Sequence, residues 1–163
     1  MSRPRTADLE GLLDCLAEAG VEFIVVGGAA AVLHGAPVTT QDLDIVHKRT
    51  PENAARLLAL LEKLDAVFRD AAGRVIKPTL HALLGKGQLN LTTSLGPLDP
   101  LCQLHDGRGF EELLPHSITL TDESLQLRVL DLETLIEVKS GTGRAKDELV
   151  LPVLLALSRQ RPK

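Results

Sequence analysis

The spacing of apolar and polar positions predicts helices and strands that follow one another along the chain. Residues 9–20, "LEGLLDCLAEAG", place leucines at helical spacing behind a capping Thr6 or Asp8, with Gly20 at the end. The run "VEFIVVGG" predicts a short buried strand, because it is rich in β-branched residues and glycine ends it. A short helix, "AAAVLHG", and a second strand, "QDLDIVH", follow.

The middle of the chain continues in the same manner. The sequence "TPENAARLLALLEKLDA" predicts a helix capped by Thr50, with Pro51 at its first position, where proline is favoured. Strand-like pieces at 89–92 and 98–101 are separated by a Gly-Pro turn signal. A short helix at "GFEELL" comes next, followed by two strands, "SITL" and "LQLRVL", joined at "TDES".

The last third is predicted to be mainly helical. The segment "DLETLIEVKSG" is a helix capped by Asp131 and ended by Gly141, and a last helix starts near Arg144, kinked or restarted at Pro152. Mixed helices and strands indicate the α/β (α+β) class. With 163 residues, 44% of them hydrophobic, the chain is expected to form a single domain, 1–163, with a C-terminal helical part from about 131.

Composition narrows the classes of function. A net charge of -4 argues against coating of nucleic acid by bulk electrostatics, although it permits a local basic face. Such a face is possible near the C-terminus, where five cations gather: Arg144, Lys146, Arg159, Arg161 and Lys163. With no Trp, no Tyr and three Phe, base-stacking platforms are nearly absent. The sequence has no apolar run of about 18 residues, so no membrane span is expected, and a cytoplasmic location is the default expectation.

Two adjacent glycines, Gly27 and Gly28, stand where a strand passes into a helix. A backbone without side chains can approach a phosphate at such a turn and offer amide hydrogens to it. A tight turn without any ligand is the alternative, and neither the dinucleotide pattern G-x-G-x-x-G nor a P-loop is present.

Two aspartates, Asp42 and Asp44, stand one residue apart in the second predicted strand. Alternate strand residues share a face, so these carboxylates project together while Leu43 and Ile45 point to the other side. A pair of carboxylates suits a hard divalent cation such as Mg²⁺. The alternative is a solvated face of an edge strand.

Gly27-Gly28, thirteen intervening residues and Asp42-Leu43-Asp44-Ile45 together resemble the signature hG[G/S]…DhDh of the DNA polymerase β-like nucleotidyltransferase superfamily, where h is apolar. His34-Gly35 and Thr40 resemble the compact prokaryotic members, and among these the AbiEii-type toxin nucleotidyltransferases are the most similar. The resemblance extends from about Val21 to Leu155. It implies a small nucleotidyltransferase fold, a mixed β-sheet flanked by helices, with Gly27, Gly28 and Thr40 at the nucleotide.

The resemblance also implies a third carboxylate on a later strand, and Asp99 in "GPLDPL" is the best match. Asp99 would complete, with Asp42 and Asp44, a site for two Mg²⁺ ions and would help to deprotonate the attacking hydroxyl. Pro100 departs from the family pattern, since it cannot donate a ladder hydrogen bond and so limits Asp99 to an edge strand or a bulge. A turn cap is the alternative role of Asp99.

The helix after Asp131 carries a lysine on its apolar face. Leu132, Leu135 and Ile136 mark the buried stripe, and the same period brings Lys139 onto it. Lys139 either reaches solvent at the helix end or contacts a negative group such as a triphosphate. In the toxin-like relatives a lysine here, followed by a Gly-containing turn and R-x-K-D, belongs to the active-site side, which matches Lys139 and the segment Arg144, Lys146 and Asp147. The match implies phosphate contact by Lys139 and Arg144, with Asp147 orienting its neighbours.

The resulting hypothesis is a Mg²⁺-dependent nucleotidyltransferase that moves a nucleoside monophosphate from an NTP to an acceptor hydroxyl. The resemblance allows tRNA, a protein or a small molecule as acceptor, and it allows a toxin with a cognate antitoxin as partner. The first alternative is a catalytically inactive nucleotide-binding or partner-binding module of the same fold. The second is a purely structural α/β domain.

Overall fold

Seven strands form one mixed β-sheet. The computed structural model describes residues 3–122 and 125–160, apart from the side chains of Asp122, Ala145 and Lys146. The strands are β1 (Phe23–Val26), β2 (Leu43–His47), β3 (Val67–Phe68), β4 (Leu91–Thr93), β5 (Gly96–Leu101), β6 (Ser117–Asp122) and β7 (Leu125–Leu130). Their order across the sheet is β3-β4-β5-β2-β1-β7-β6.

Helices connect and flank these strands, and their bounds are α1 (Leu9–Glu18), α2 (Gly27–Leu33), α3 (Pro51–Lys63), α4 (Leu80–Leu83), α5 (Phe110–Leu113), α6 (Leu132–Thr142) and α7 (Ala145–Gln160). A single 3-10 turn, Leu114–His116, follows α5. Helix α2 packs on β1 and β2, while α6 packs on both α2 and α7. The α/β class and the mixed sheet flanked by helices are therefore confirmed.

The centre of the sheet sets the geometry of the site. Strand β1 runs antiparallel to β2, with Val26 opposite Asp44, and β2 runs parallel to β5, with Asp44 opposite Asp99. Leu43 and Ile45 are fully buried. Because side chains alternate along a strand, burying these two residues places the Asp44 side chain on the opposite face.

Several predicted boundaries need correction. Helix α1 is capped by Asp8, whose side chain accepts from the Gly11 amide, and not by Thr6. Helix α6 passes through Gly141 and ends at Thr142, because Gly143 adopts the left-handed conformation that closes a helix. Helix α7 runs through Pro152 without restarting.

Several other elements were predicted correctly, and two short elements were not predicted. Thr50 caps α3 and Pro51 occupies its first turn, as predicted. Strands β6 and β7 pair antiparallel, as predicted, and their connection at 123–124 lies outside the described residues. The two strand pieces do form a hairpin, β4–β5, whose turn lies at Ser94 and Leu95, so the Gly-Pro signal lies at the start of β5 and not in the turn itself. The two-residue β3 and the four-residue α4 were not predicted, because such short elements leave no periodic pattern.

The prediction that Pro100 confines Asp99 to an edge strand or a bulge is wrong. Strand β5 lies between β4 and β2, inside the sheet. The Pro100 carbonyl accepts from the Leu89 amide at 2.9 Å, on the side where pairing with β4 has already ended at Leu91. The N–H and C=O of one strand residue point to the same side, so the missing N–H removes no bond to β2. Asp42 and Asp44 likewise do not lie on an edge strand, because β2 is flanked by β5 and β1.

The C-terminal cations do not form one basic face within the described residues. Arg144 precedes α7 and Arg159 lies in its last turn, so about 22 Å of helix separates them. Arg161, Lys163 and the side chain of Lys146 lie outside the described residues. Among residues 3–122 and 125–160, no helix combines the length and the apolarity that a membrane crossing requires.

Candidate active site

Three carboxylates converge at the centre of the sheet. Asp44 and Asp99 are register partners on parallel strands, and Asp42 immediately precedes β2. One oxygen from each of Asp42, Asp44 and Asp99 lies within 4.8 Å of the other two. The three carboxylates that the sequence analysis named therefore lie together, and their roles as metal ligands and catalytic residues stay predictions. Asp99 is buried, whereas Asp42 and Asp44 are half-buried.

The cluster has the donors and the spacing that a divalent cation requires. Carboxylate oxygens are the ligands that Mg²⁺ and Ca²⁺ prefer, and opposite oxygen ligands of such an ion lie about 4 to 5 Å apart. Oxygens within 4.8 Å of one another can therefore surround one ion. The residues present fit a bound divalent cation.

Arg69, which the sequence analysis did not identify, holds the third carboxylate. Its Nη1 donates to Oδ1 of Asp99 at 2.7 Å and its Nη2 donates to Oδ2 at 2.9 Å, so the guanidinium binds both oxygens. The Leu91 amide also donates to Oδ1, at 3.2 Å. Arg69 follows the two-residue β3 and lies 30 positions from Asp99 in the chain. No local pattern indicates such a pair.

Burial and the ion pair with Arg69 shift the pKa of Asp99 in opposite directions. Removal from water raises the pKa of this carboxyl, and the Arg69 guanidinium opposes that rise. The hydrogen bonds to Asp99 raise the pKa of Arg69, and the charges of Asp42 and Asp44 raise it further. Both Asp99 oxygens accept from an arginine, which is always protonated in proteins, so the pair is ionic.

Gly27 touches the second aspartate of the cluster. Its φ of +65° is a left-handed conformation, and a Cβ at this position would lie 2.5 Å from Oδ2 of Asp44. A side chain is excluded both by the backbone angle and by the carboxylate. The contact with Asp44 gives a structural reason for glycine at this position, while its predicted role at a phosphate stays a prediction.

Gly28 and Thr40 form a second close contact beside Asp42. A Cβ on Gly28 would lie 2.7 Å from Oγ1 of Thr40. That hydroxyl donates to the Asp42 carbonyl at 3.0 Å, which fixes the backbone just before β2. The two glycines therefore contact the two flanks of the Asp42–Asp44 segment.

Lys139 is buried, as its position on the apolar stripe predicted, and it does not reach solvent at the helix end. Its Nζ donates to Oδ1 of Asp147 at 3.0 Å, and both side chains are less than a tenth exposed. Oδ2 of Asp147 accepts from Thr142 Oγ1 at 2.6 Å and from Arg144 Nε at 3.1 Å. Asp147 orients its neighbours, as expected, and joins α6 to α7.

The charge state of Asp147 follows from these contacts. Burial alone would raise the pKa of its carboxyl, but the hydrogen bonds from Thr142 and Lys139 outweigh burial and hold the pKa below its usual value. The Arg144 side chain is mostly exposed and can turn toward a ligand. Lys139 and Asp147 thus form a buried ion pair that lines the same cavities as Asp42 and Asp44.

Two cavities meet at that pair. One, of about 480 Å³, is lined by Gly27 and Asp44 as well as by Lys139 and Asp147. The other, of about 260 Å³, is lined by Gly28, Thr40, Asp42 and the same two residues. The structure thus places seven predicted residues around two cavities that share Lys139 and Asp147, while Asp99 lines neither cavity: Gly27, Gly28, Thr40, Asp42, Asp44, Lys139 and Arg144.

The larger cavity has a second wall that the sequence analysis missed. Its polar side chains come from the loops before β4 and after β5, and they are Lys86, Gln88, Gln103 and His105. These residues have no spacing that indicates a site, because they meet only through the bridge between Gln88 and Leu101 and the fold of the loops.

Comparison of the whole chain with known proteins shows which solved structures have a similar fold. No protein-family model and no curated protein sequence matches the chain. The lincosamide antibiotic adenylyltransferase LnuA, solved with lincomycin bound, has a similar structure, with a TM-score of 0.65 at 13% identity over 94% of this chain and 99% of LnuA.

Two further structures are similar. The Thermotoga maritima protein TM1012, a candidate nucleotidyltransferase, gives a TM-score of 0.54 at 18% identity over 91% of this chain and 90% of TM1012. The antibiotic-resistance factor ANT(2'')-Ia gives 0.57 at 12% identity over 91% of this chain and 80% of that factor. The structural neighbours of this chain are nucleotidyltransferases, and the chain has their fold.

Proposed function

We propose that this protein is a nucleotidyltransferase that moves a nucleoside monophosphate from an NTP to an acceptor hydroxyl and releases pyrophosphate. The observation that carries the proposal is the register of two parallel strands, which sets Asp44 beside Asp99 with Asp42 next to both. Like-charged carboxylates this close are costly unless a cation offsets them. The fold shared with nucleotidyltransferases supports the same reading.

Asp42, Asp44 and Asp99 are the proposed metal ligands, with Mg²⁺ as the expected ion. A bound divalent cation supplies Lewis-acid polarisation of the reacting phosphate. The expectation of two ions stays a prediction.

The reaction is an in-line displacement at the α-phosphorus. The acceptor oxygen bonds to that phosphorus while the bond to the oxygen bridging the α- and β-phosphates breaks, and pyrophosphate leaves with the bridging oxygen. Oδ1 of Asp99 already accepts two hydrogen bonds, so Oδ2 is the oxygen proposed to hold the cation. Asp99 would thereby help to deprotonate the acceptor hydroxyl, because the cation would lower the pKa of that hydroxyl, and the proton would pass to water.

Gly27, Gly28 and Thr40 are proposed to lie along the triphosphate, since they line the two cavities beside the carboxylates. Lys139 and Arg144 are proposed to offset the charge that develops on the leaving pyrophosphate. Lys139 suits this role because Asp147 holds its ammonium group at the junction of the cavities. Residues 1–163 are taken as one functional unit, in which the helices from Leu132 onward supply the lysine side of the site.

The acceptor is proposed as tRNA, a protein or a small hydroxylated molecule. A small molecule is supported by the similarity to LnuA, a lincosamide adenylyltransferase whose structure was solved with lincomycin bound. A toxin role of the AbiEii type with an antitoxin partner stays a prediction from the resemblance alone.

The experiment is a transfer assay with α-labelled NTPs, Mg²⁺ and three acceptor pools: tRNA, lysate protein and a small-molecule panel. Asp42→Asn and Asp44→Asn are expected to abolish labelling while the protein remains folded. Transfer that persists in both variants would remove the carboxylate site from the mechanism.

A second candidate function is a nucleotide-binding or partner-binding module without turnover. It is favoured by one observation, that Arg69 binds both oxygens of Asp99 and so competes with any catalytic use of them. Calorimetry with NTP and Mg²⁺ shows binding under both hypotheses, whereas pyrophosphate release occurs only under the first.

A further inference from the structure

Helix α7 has apolar residues on all of its sides along its middle. The residues from Leu149 to Leu157 are apolar without interruption. One side of the helix packs on the rest of the protein, since Leu154 is fully buried and Val150 contacts the core. A helix that is apolar all round is normally covered all round. The outer side of α7 is exposed, which makes it a candidate contact surface.

The outer side carries one straight row of exposed residues, hereafter the α7 stripe. Its members are spaced by four, three and four positions, which brings them to the same side of a helix: Glu148, Pro152, Leu155 and Arg159. Leu149, which is 78% exposed, lies beside the stripe and extends its apolar part. The α7 stripe therefore has an apolar centre, an acidic N-terminal end and a basic C-terminal end.

The α7 stripe is complementary to itself when two copies lie antiparallel. A two-fold axis places each residue opposite the residue that is equally far beyond the midpoint of the pair. With the midpoint between positions 153 and 154, Glu148 of one copy lies opposite Arg159 of the other copy. The same midpoint sets Pro152 opposite Leu155. A single register thus pairs opposite charges at both ends and apolar side chains at the centre.

Charge favours this antiparallel arrangement over a parallel one. A parallel pair would set Glu148 against Glu148 and Arg159 against Arg159, and like charges at such positions repel. Antiparallel pairing also brings the negative end of one helix dipole to the positive end of the other. Exposed ion pairs add little affinity, but they select the register and the partner.

We propose that the α7 stripe is a self-association surface, on which α7 of a second copy of this chain docks antiparallel. The stripe is about 16 Å long. This contact is smaller than a standard interface, so the dimer is weak, with a dissociation constant on the order of 10 µM. The inference concerns assembly and does not depend on the proposed transfer reaction.

The first test is sedimentation equilibrium of the full chain over a wide range of concentrations. Wild type is expected to pass reversibly from monomer to dimer as the concentration rises. Leu155→Glu puts two carboxylates beside the two-fold axis and is expected to weaken the dimer by about tenfold. The matched control is Leu80→Glu on α4, because Leu80 is 37% exposed and Leu155 is 40% exposed. This control is expected to associate like wild type.

The second test reverses the charges at the ends of the α7 stripe. Glu148 and Arg159 are exposed, so their reversal leaves the fold intact. At low ionic strength, Glu148→Arg and Arg159→Glu are each expected to weaken the dimer about threefold to tenfold, because each sets like charges opposite one another. An equal mixture of the two variants regains both ion pairs and is expected to form a mixed dimer, as strong as that of wild type.

A control for charge reversal comes from α3. Glu62 is an exposed glutamate near the end of that helix, and Glu62→Arg is expected to associate like wild type. The double variant Glu148→Arg with Arg159→Glu is expected to dimerise, since its ion pairs are restored with exchanged signs.

Several outcomes would overturn the proposal. Wild type that stays monomeric at every concentration would do so, as would a dimer that Leu155→Glu leaves unchanged. A mixture of the two charge variants that associates no better than either one alone would contradict the antiparallel register. Binding of monomeric wild type to vesicles of phosphatidylcholine and phosphatidylserine, lost in Leu155→Glu, would assign the α7 stripe to a lipid surface instead.

Discussion

Gly27 and Asp44 fit together without room for one more carbon atom. A Cβ on Gly27 would stand 2.5 Å from Oδ2 of Asp44, and the φ of +65° at this glycine already disfavours any side chain. The end of β1 and the carboxylate on β2 are therefore one packed unit, formed across the antiparallel pair of Val26 and Asp44.

Gly27→Ala is expected to lower both stability and function. The left-handed backbone costs about 1 to 2 kcal/mol for alanine, and the methyl group in addition pushes the Asp44 carboxylate from its place. Chemical unfolding measures the first effect, and Mn²⁺ affinity and nucleotidyl transfer measure the second.

Gly73 supplies the matched control for that variant. It has a φ of +74° with open space where a Cβ would lie, so Gly73→Ala has the backbone cost without the clash. Loss of stability with unchanged Mn²⁺ affinity is expected. Equal loss of Mn²⁺ affinity in both variants would show that contact with Asp44 is not what makes Gly27 necessary.

Thr40 is expected to act through its hydroxyl. Thr40→Val keeps the shape but removes the hydrogen bond to the Asp42 carbonyl, which should destabilise the fold by about 0.5 to 1.5 kcal/mol and weaken Mn²⁺ binding. Thr40→Ser retains the donor and should bind Mn²⁺ like wild type. If the serine and valine variants weaken binding equally, the hydroxyl does not position Asp42.

Lys139 combines a structural and a functional role, and variants can separate them. Lys139→Met leaves Asp147 buried without its main cation, and we expect a loss of about 3 to 5 kcal/mol in the free energy of unfolding. Lys139→Met with Asp147→Asn removes both charges and should recover much of that loss. Nucleotidyl transfer should stay low in the double variant, because the ammonium group is still missing.

The exposed Lys63 at the end of α3 gives the control for the loss of a lysine. Lys63→Met should change the free energy of unfolding by no more than about 0.5 kcal/mol, and it should leave nucleotidyl transfer unchanged. Wild-type transfer by the stable double variant would restrict Lys139 to a structural role.

Protonation of Asp147 should lower the stability of the protein in acid. Its folded-state pKa is depressed, so its contribution is fully present above the unfolded pKa and is lost as the pH falls through the folded pKa. Unfolding free energies measured from pH 6 down to pH 2 should decrease most steeply below about pH 5, where unfolded carboxyls begin to bind protons. Asp147→Asn should flatten this decrease. An equally steep curve for the variant would contradict the assigned hydrogen bonds.

The carboxylate pair and the glycines could be predicted because their information is local. Asp42 and Asp44 share a face by strand alternation, and Gly27 precedes them by a short stretch of chain. Lys139 was predictable for the same reason, since helical periodicity places it among the buried residues of α6. Asp99 could be predicted only from the family resemblance, because no neighbouring residue in the sequence indicates that its strand pairs with β2.

The remaining features depend on long-range pairing. Arg69 meets Asp99 only because β4 brings β3 to the side of β5, and β3 is two residues long. Pro100 suggested an edge strand, yet its position beyond the last β4 pair makes proline acceptable inside the sheet. The loop residues around the larger cavity, such as Gln88 and His105, likewise come together only in the folded chain.

The most direct test of nucleotidyl transfer compares two labels on the same NTP in parallel reactions with Mg²⁺ and each acceptor pool. We predict that the α-label becomes covalently attached to an acceptor while the γ-label appears only in pyrophosphate, with equal amounts of both products and with neither in Asp44→Asn. A γ-label on the acceptor, or an α-label released only as free nucleotide, would contradict it.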